Sequence, residues 1–225
     1  MRTPTEIEPL VKRLIEAQVP LTFINALDEK RVEAMIRRIT KSTGRLLYVW
    51  TITRGFQPEF GGAGRHQFEV LNKICTSEDR TVFLLKDLNL HFTDPYIIRL
   101  LKDIALKDKN KVSTFVVGEK LEVPPKLVHH SLLLEMPPPT TEEVRNKVKE
   151  IISRLNRFSK PARMTEEDIE WVVKVLVGMT DFEIDTACEI SLTAHQTLDP
   201  DELMNFRMEL ASRRLIESHD AMPQK

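Results

Sequence analysis

The sequence predicts an α/β fold: a three-layer domain around a five-stranded parallel sheet over residues 1–136, followed by an all-helical lobe over 137–225. Three observations lead there. Residues 81–85 (TVFLL) are an uninterrupted apolar or β-prone run, closed by the carboxylate of Asp87 and followed by an amphipathic segment that Asp94-Pro95 opens. A run of this kind suits a strand buried on both faces, as strands of a parallel sheet are. Strand-like runs then alternate with helical ones without hairpin signals between neighbours, so the strands must be joined by crossovers. Finally, Met136-Pro137-Pro138-Pro139 ends the alternation, because successive prolines neither continue a central strand nor enter a helix interior. Everything beyond reads helical.

In order along the chain, residues 5–17 carry an apolar stripe (Ile7, Leu10, Val11, Leu14, Ile15) at helical spacing, and Pro20 begins a short buried strand, LTFIN, ending at Asn25. Asp28-Glu29 start a second helix with Val32, Met35, Ile36 and Ile39 on one side. Lys30, Arg31, Arg37, Arg38 and Lys41 make its other side, read as a solvated face, with contact to an anionic partner as the alternative. Gly44 stands where a helix C-terminal glycine belongs. Residues 46–53 (LLYVWTIT) are the second strand, RGFQPEFGGAGR a loop, and 66–74 a short helix. The third strand at 81–85 is followed by a helix from Asp94 to about Lys107. Residues 112–117 (VSTFVV) and 132–135 complete the five strands. In the lobe, helices are expected at 142–158, from the capping-box-like MTEED start through 177, at 181–194 and at 200–217, with AMPQK a loose tail.

Apolar content of 41% and charged content of 30% are those of an ordinary globular chain. A formal net charge of −1 gives no field for nucleic acid or anionic membrane. No apolar stretch approaches the roughly 20 residues a bilayer crossing needs, and MRTPTEIEPLVKR lacks the apolar core of a signal peptide. Cys75 and Cys188 are far apart and match no metal spacing, so they are expected to stay reduced in a cytoplasmic setting.

The succession of elements, with FLLKDLNLHFTDPYIIRLLKDIALK, FVVGEKLEVPPKL and LLLEMPPPTTEEV, resembles the first, degenerate AAA-like domain of the conserved chloroplast-reading-frame AAA ATPases of plastids and cyanobacteria. YVWTITRGF and LVGMTDFEID add to the likeness, which covers roughly residues 5–195. It implies an AAA-like sheet domain, a lid-like helical lobe, and a stand-alone relative or separated N-terminal module of that family.

The resemblance directs attention to a nucleotide pocket, and the residues there do not supply one. A P-loop reads GxxxxGK[ST], because glycines admit backbone N–H groups to the phosphates while the Lys and hydroxyl serve the phosphates and magnesium. This chain has Asn25-Ala26-Leu27-Asp28-Glu29-Lys30-Arg31, whose carboxylates are suited to capping the helix rather than to receiving phosphate. Asp87 takes the Walker B aspartate position, but Leu88 stands where a water-activating glutamate would. The fourth strand ends Val117-Gly118-Glu119 instead of in a polar sensor residue. Asp28, Glu29 and Asp87 are accordingly read as a vestigial pocket, with Asp87 expected to cap or hydrogen-bond the next turn. No catalytic residue, cofactor or metal is expected.

Interaction residues are sought elsewhere. The Gly61–Arg65 loop lacks Lys-Ser/Thr and reads as a flexible surface loop. In AAA rings the region after the second strand often faces the pore, so the resemblance makes Phe56 and Phe60 candidates for gripping a polypeptide. Arg65 is a further candidate interaction residue, and Arg99 reads as an exposed helix position, with an intersubunit contact as the alternative. His129 and His130 are adjacent and point apart, which does not suit a shared metal. The expected function is a catalytically inactive interaction or assembly module that self-associates or docks a protein partner, such as an active AAA ATPase. The alternatives are a divergent ATP-binding AAA enzyme and a clamp-loader-like subunit on DNA. The near-neutral charge does not favour the last, since DNA affinity depends on Lys and Arg clusters.

Overall fold

The computed structural model describes residues 4–60, 62, 64–77, 80–107, 111–158, 164–195 and 197–220. The chain forms two compact units, Met1–Pro137 and Pro138–Lys225. The sequence expectations for Gly61, Ala63 and the 221–225 tail lie outside the described residues.

In the first unit, helix α1 (Pro4–Glu16) precedes strand β1 (Leu21–Asn25), helix α2 (Glu29–Thr43), β2 (Leu46–Thr51), β3 (Gly55–Gln57), α3 (Gln67–Thr76), β4 (Thr81–Lys86), α4 (Pro95–Leu106), β5 (Ser113–Gly118) and β6 (Leu132–Glu135). The strands form one sheet in the order β3-β2-β4-β5-β1-β6. All neighbours are parallel except β3, which pairs antiparallel with β2 through Val49–Gln57, Trp50–Phe56 and Thr51–Gly55. The sheet is therefore six-stranded and mixed, not five-stranded and parallel. The extra strand comes from the segment read as a loop. The Arg54 amide donates to the Thr51 carbonyl, Gly55 turns the chain at φ 71°, and Phe56 buries its ring on the return. Glycine makes that left-handed turn without the Cβ clash other residues meet.

Strand alternation divides the core. Leu21, Phe23, Trp50, Phe83, Leu85 and Val116 face α3 and α4, meeting Leu71, Ile74, Ile97 and Leu101. Ile24, Val49, Val82, Leu84, Phe115 and Val117 face α1 and α2, meeting Val11, Ile15, Val32 and Ile36. This is the three-layer arrangement, with β4 and β5 buried along their whole length. Each fully buried side chain such as Phe83 or Leu84 contributes about 1.5–3 kcal/mol relative to exposure. The basic side of α2 is laced with internal contacts: Arg37 pairs with Glu33, Arg38 with Glu8 at 2.7 Å, and Arg31 Nη1 donates to the Pro137 carbonyl.

The second unit contains α5 (Thr141–Phe158), α6 (Glu166–Leu176), α7 (Asp181–His195) and α8 (Pro200–Asp220) around Val144, Val148, Val172, Val173, Leu176, Ile184, Cys188 and Leu203. Its helix ends are closed by side chains. Thr165 and Asp168 form the reciprocal capping box at α6, satisfying amides that lack intrahelical partners. At the other end of α6, Arg207 reaches the carbonyls of Val175 and Val177.

Candidate functional site

Ligands of open α/β sheets bind beyond the carboxyl ends of the parallel strands. At that end of β1, only Ala26, Leu27 and Asp28 separate the strand from α2. The connection is held at both ends. Asn25 Nδ2 donates to Glu135 Oε2 at 2.9 Å, its Oδ1 accepts from the Leu121 amide at 3.2 Å, and the Ala26 amide donates to the Gly118 carbonyl at 3.0 Å. Asp28 is the N-cap of α2, its Oδ1 accepting from the Arg31 amide at 3.3 Å. A side-chain carboxylate thus takes the helix-terminal donor that an anion would otherwise use.

The next residue, Glu29, does not cap. It turns instead to the end of β4, where Lys86 is the buried cation of the sheet. Lys86 Nζ lies 2.8 Å from Glu33 Oε2 and 3.2 Å from Glu29 Oε1, with only 9% of its side chain exposed. Glu33 is shared with Arg37, 2.6 Å away. Burial pushes the Lys86 ammonium towards losing its proton, but hydrogen bonds and charges from Glu33 and Glu29 outweigh that and hold it above the ordinary lysine range. Burial likewise raises Glu33, and Lys86 and Arg37 outweigh it, leaving Glu33 below the usual carboxylate range.

Asp87, which the sequence singled out, behaves differently. It is exposed, its backbone is left-handed at φ 57°, and its carboxylate makes no cap hydrogen bond. The expectation that it caps or hydrogen-bonds the following turn is corrected to this extent: only its backbone does so, accepting from the Leu90 amide at 3.2 Å. That 3₁₀ turn, Leu88–His91, drives Leu88 fully into the core, where it meets no water. At the end of β5, a Cβ on Gly118 would come 2.2 Å from Asn89 Oδ1, so Asn89 occupies the space a side chain at 118 would need.

These strand ends enclose a cleft of about 520 Å³ within the first unit. The Lys86–Glu29–Glu33 cluster makes one wall, and Lys30, Ile52, Arg54, Asp87, Leu90 and His91 are among the other lining residues. Sequence reasoning missed Lys86, Glu33 and this cleft. The available signal was a lysine ending a wholly apolar strand while two glutamates four residues apart lay on one face of a neighbouring helix.

The other singled-out residues do not join them. Phe56 is buried, and Phe60 packs on Tyr48, Phe56 and Phe83 with ring centroids 4.5, 5.6 and 5.1 Å away. Phe56 is thus an internal anchor rather than a gripping surface, because its ring fills the core beneath β3. Arg65 is exposed. The neighbouring Gly64 amide donates to Glu69 Oε2 at 3.1 Å, which pins that part of the glycine-rich loop with the protein's own carboxylate. Arg99 lies exposed on α4 and bonds Asp103 on the same helix. Cys75 and Cys188 are pushed up by burial to about 11 and about 12, far from a reactive thiolate. Among the described residues no group of three or more His, Cys, Asp or Glu side chains is placed to hold a metal, and no helix is long and apolar enough to cross a membrane.

This arrangement of sheet, crossover helices and following helical unit is an AAA-type fold. It is similar to a chain of the E. coli MS115-1 HORMA:CdnC:Trip13 complex (TM-score 0.63, 11% identity, covering 93% of this chain and 89% of that one) and to C. elegans PCH-2 (TM-score 0.58, 12% identity, 94% and 69%). The family description "SpoVK-like AAA ATPase, N-terminal domain" matches residues 7–136, and the chain belongs to that family. Its curated relatives include AAA domain-containing proteins named ycf46. That of Trieres chinensis is 27% identical over 84% of this chain, and that of Guillardia theta 30% identical over 75%. The chain spans 39% and 34% of their respective lengths.

Proposed function

We propose that this AAA-family chain is a catalytically inactive assembly module: a degenerate AAA-like domain over 1–136 with a lid-like lobe over 137–225, cytoplasmic, acting by self-association or by docking a protein partner. The observation that carries this reading is the replacement of phosphate-binding parts by an internal ion cluster. The three residues Ala26, Leu27 and Asp28 offer no length for a GxxxxGK[ST] loop. Glu29 and Glu33 present negative charge from the helix that would receive phosphate, and Lys86 neutralises it from the strand that would hold magnesium through an acid. The charges are therefore reversed relative to a nucleotide site. Buried Leu88 and the Asn89-filled space at Gly118 remove the remaining catalytic positions. Asp28, Glu29 and Asp87 are then a vestige. The natural complement is an AAA ATPase with an intact P-loop. The E. coli neighbour comes from a complex of several proteins, which accords with an assembly role.

Titration with fluorescent ATP and magnesium is expected to give no saturable binding up to millimolar nucleotide, and light scattering to give a mass above the monomer as concentration rises. Micromolar magnesium-dependent binding would overturn the inactive reading. A strict monomer at high concentration with no co-purifying protein would overturn the assembly reading.

A further inference from the structure

The cleft at the ends of β2 and β4 retains recognition chemistry that the ion cluster does not consume. Glu29 and Glu33 of the lining are balanced in charge by Lys86 at the cleft and by Arg37, which lies outside the lining and pairs with Glu33. Of the remaining lining groups, Lys30 and Arg54 are positive, Asp87 is negative, and His91 is a further polar group; none has a side-chain ion pair among the described residues. The uncommitted lining is thus biased towards an anion while retaining one acceptor. Ile52 and Leu90 stand at the same cleft with 49% and 74% of their surface exposed, flanking the charged groups with apolar area. Its volume of about 520 Å³ is within the roughly 300–1,000 Å³ of ligand clefts.

We infer that this cleft binds an acidic peptide segment of a protein partner, with Lys30 and Arg54 receiving its carboxylates, Asp87 accepting from its backbone amides, and Ile52 and Leu90 packing on an apolar side chain between the acids. This deepens the assembly reading and rests on it. A peptide fits better than a phosphate ester because the lining mixes cations with a free carboxylate. Asp87 would repel a multiply charged phosphate, whereas a peptide brings N–H donors beside its acids. Among the described residues no glycine lines the cleft, so the glycine-rich nest of amides that favours phosphate has no counterpart in this lining.

The test is a ¹⁵N NMR titration of the full chain with acetyl-Asp-Leu-Asp-Leu-Asp-amide, alongside its Asn-for-Asp counterpart. Saturable shifts are expected at the amides of 51–54 and 87–91 with the acidic peptide, and none with the neutral one. K30E/R54E is expected to weaken binding at least tenfold with an unchanged thermal midpoint, and the milder K30Q/R54Q to fall between. Absence of saturable shifts, equal binding of the neutral peptide, or indifference to both double substitutions overturns the inference. If fluorescent ATP also fails to bind, only the cleft assignment falls. If ATP binds with magnesium, the inactive reading falls as well.

Discussion

Lys86 in the sheet unit and Arg145 in the helical unit each hold two carboxylates, under different physical conditions. Lys86 projects from a strand buried along its length and reaches Glu29 and Glu33 on a helix more than fifty positions earlier, with 9% of its side chain exposed. Arg145 reaches Glu170 at 2.7 Å and also bonds Glu142 a turn away on its own helix, and its partners stand well into solvent. Glu170 and Glu142 hold the Arg145 guanidinium above its ordinary value, but water screens such an exposed pair, whereas a desolvated ammonium has no substitute for its partners. Ion pairs at similar distances thus differ in weight according to what remains when one partner is removed.

The largest effect is expected at the buried member. Lys86→Ala leaves Glu33 and Glu29 facing each other, with Glu33 partly sequestered, and should cost about 3 kcal/mol, the low end of the range for breaking a buried pair because Glu29 is half exposed. Urea denaturation measures this, and a loss below about 1 kcal/mol would place Lys86 with the surface pairs.

An intermediate effect is expected from pH. Glu33 is held low, so its contribution is fully present above the unfolded carboxylate value of about 4.3 and is lost as pH falls through the native value. Lys86 is held high, so its contribution is fully present below about 10.4 and is lost as pH rises through the native value. The stability difference between native protein and Lys86→Ala should therefore be flat across neutral pH and shrink at both extremes. A difference that titrates near neutrality would mean another group governs the cluster.

The smallest effect is expected at Arg145→Ala, which should shift the urea midpoint little and lose even that shift in high salt. An Arg145→Ala loss equal to that of Lys86→Ala would erase the comparison.

Much of the architecture was legible because local and global signals agree. The apolar runs of β1, β4 and β5 fit a two-sided burial, while Asp28 and Gly44 mark the ends of α2 and do in fact cap it. Strand β3 was not legible, since it has only three residues, the first a glycine and the last followed by a proline, and its ladder depends on Phe56 finding a distant core. The site was half legible. What Asn25–Arg31 lacks is a statement about consecutive residues, and consecutive residues can be read. What Lys86 does depends on residues 57 and 53 positions earlier, as 86 − 29 and 86 − 33 give, whose proximity only the parallel crossover creates. Asp87 drew attention for its type and place, yet backbone direction at φ 57° decides where its carboxylate goes, and composition does not encode that.

The short link from β1 to α2 has a consequence for the history and engineering of the chain. A charge at Lys86 or Glu33 can be exchanged one codon at a time, and exchanged back. Length cannot: no series of replacements at Ala26, Leu27 and Asp28 adds a residue, and each end of the link is fixed by hydrogen bonds to β5 or within α2. Building a phosphate loop here would need an insertion that first breaks those bonds. The length of the link therefore acts as a ratchet: substitutions can go on reworking the cleft, but none of them makes a phosphate loop here.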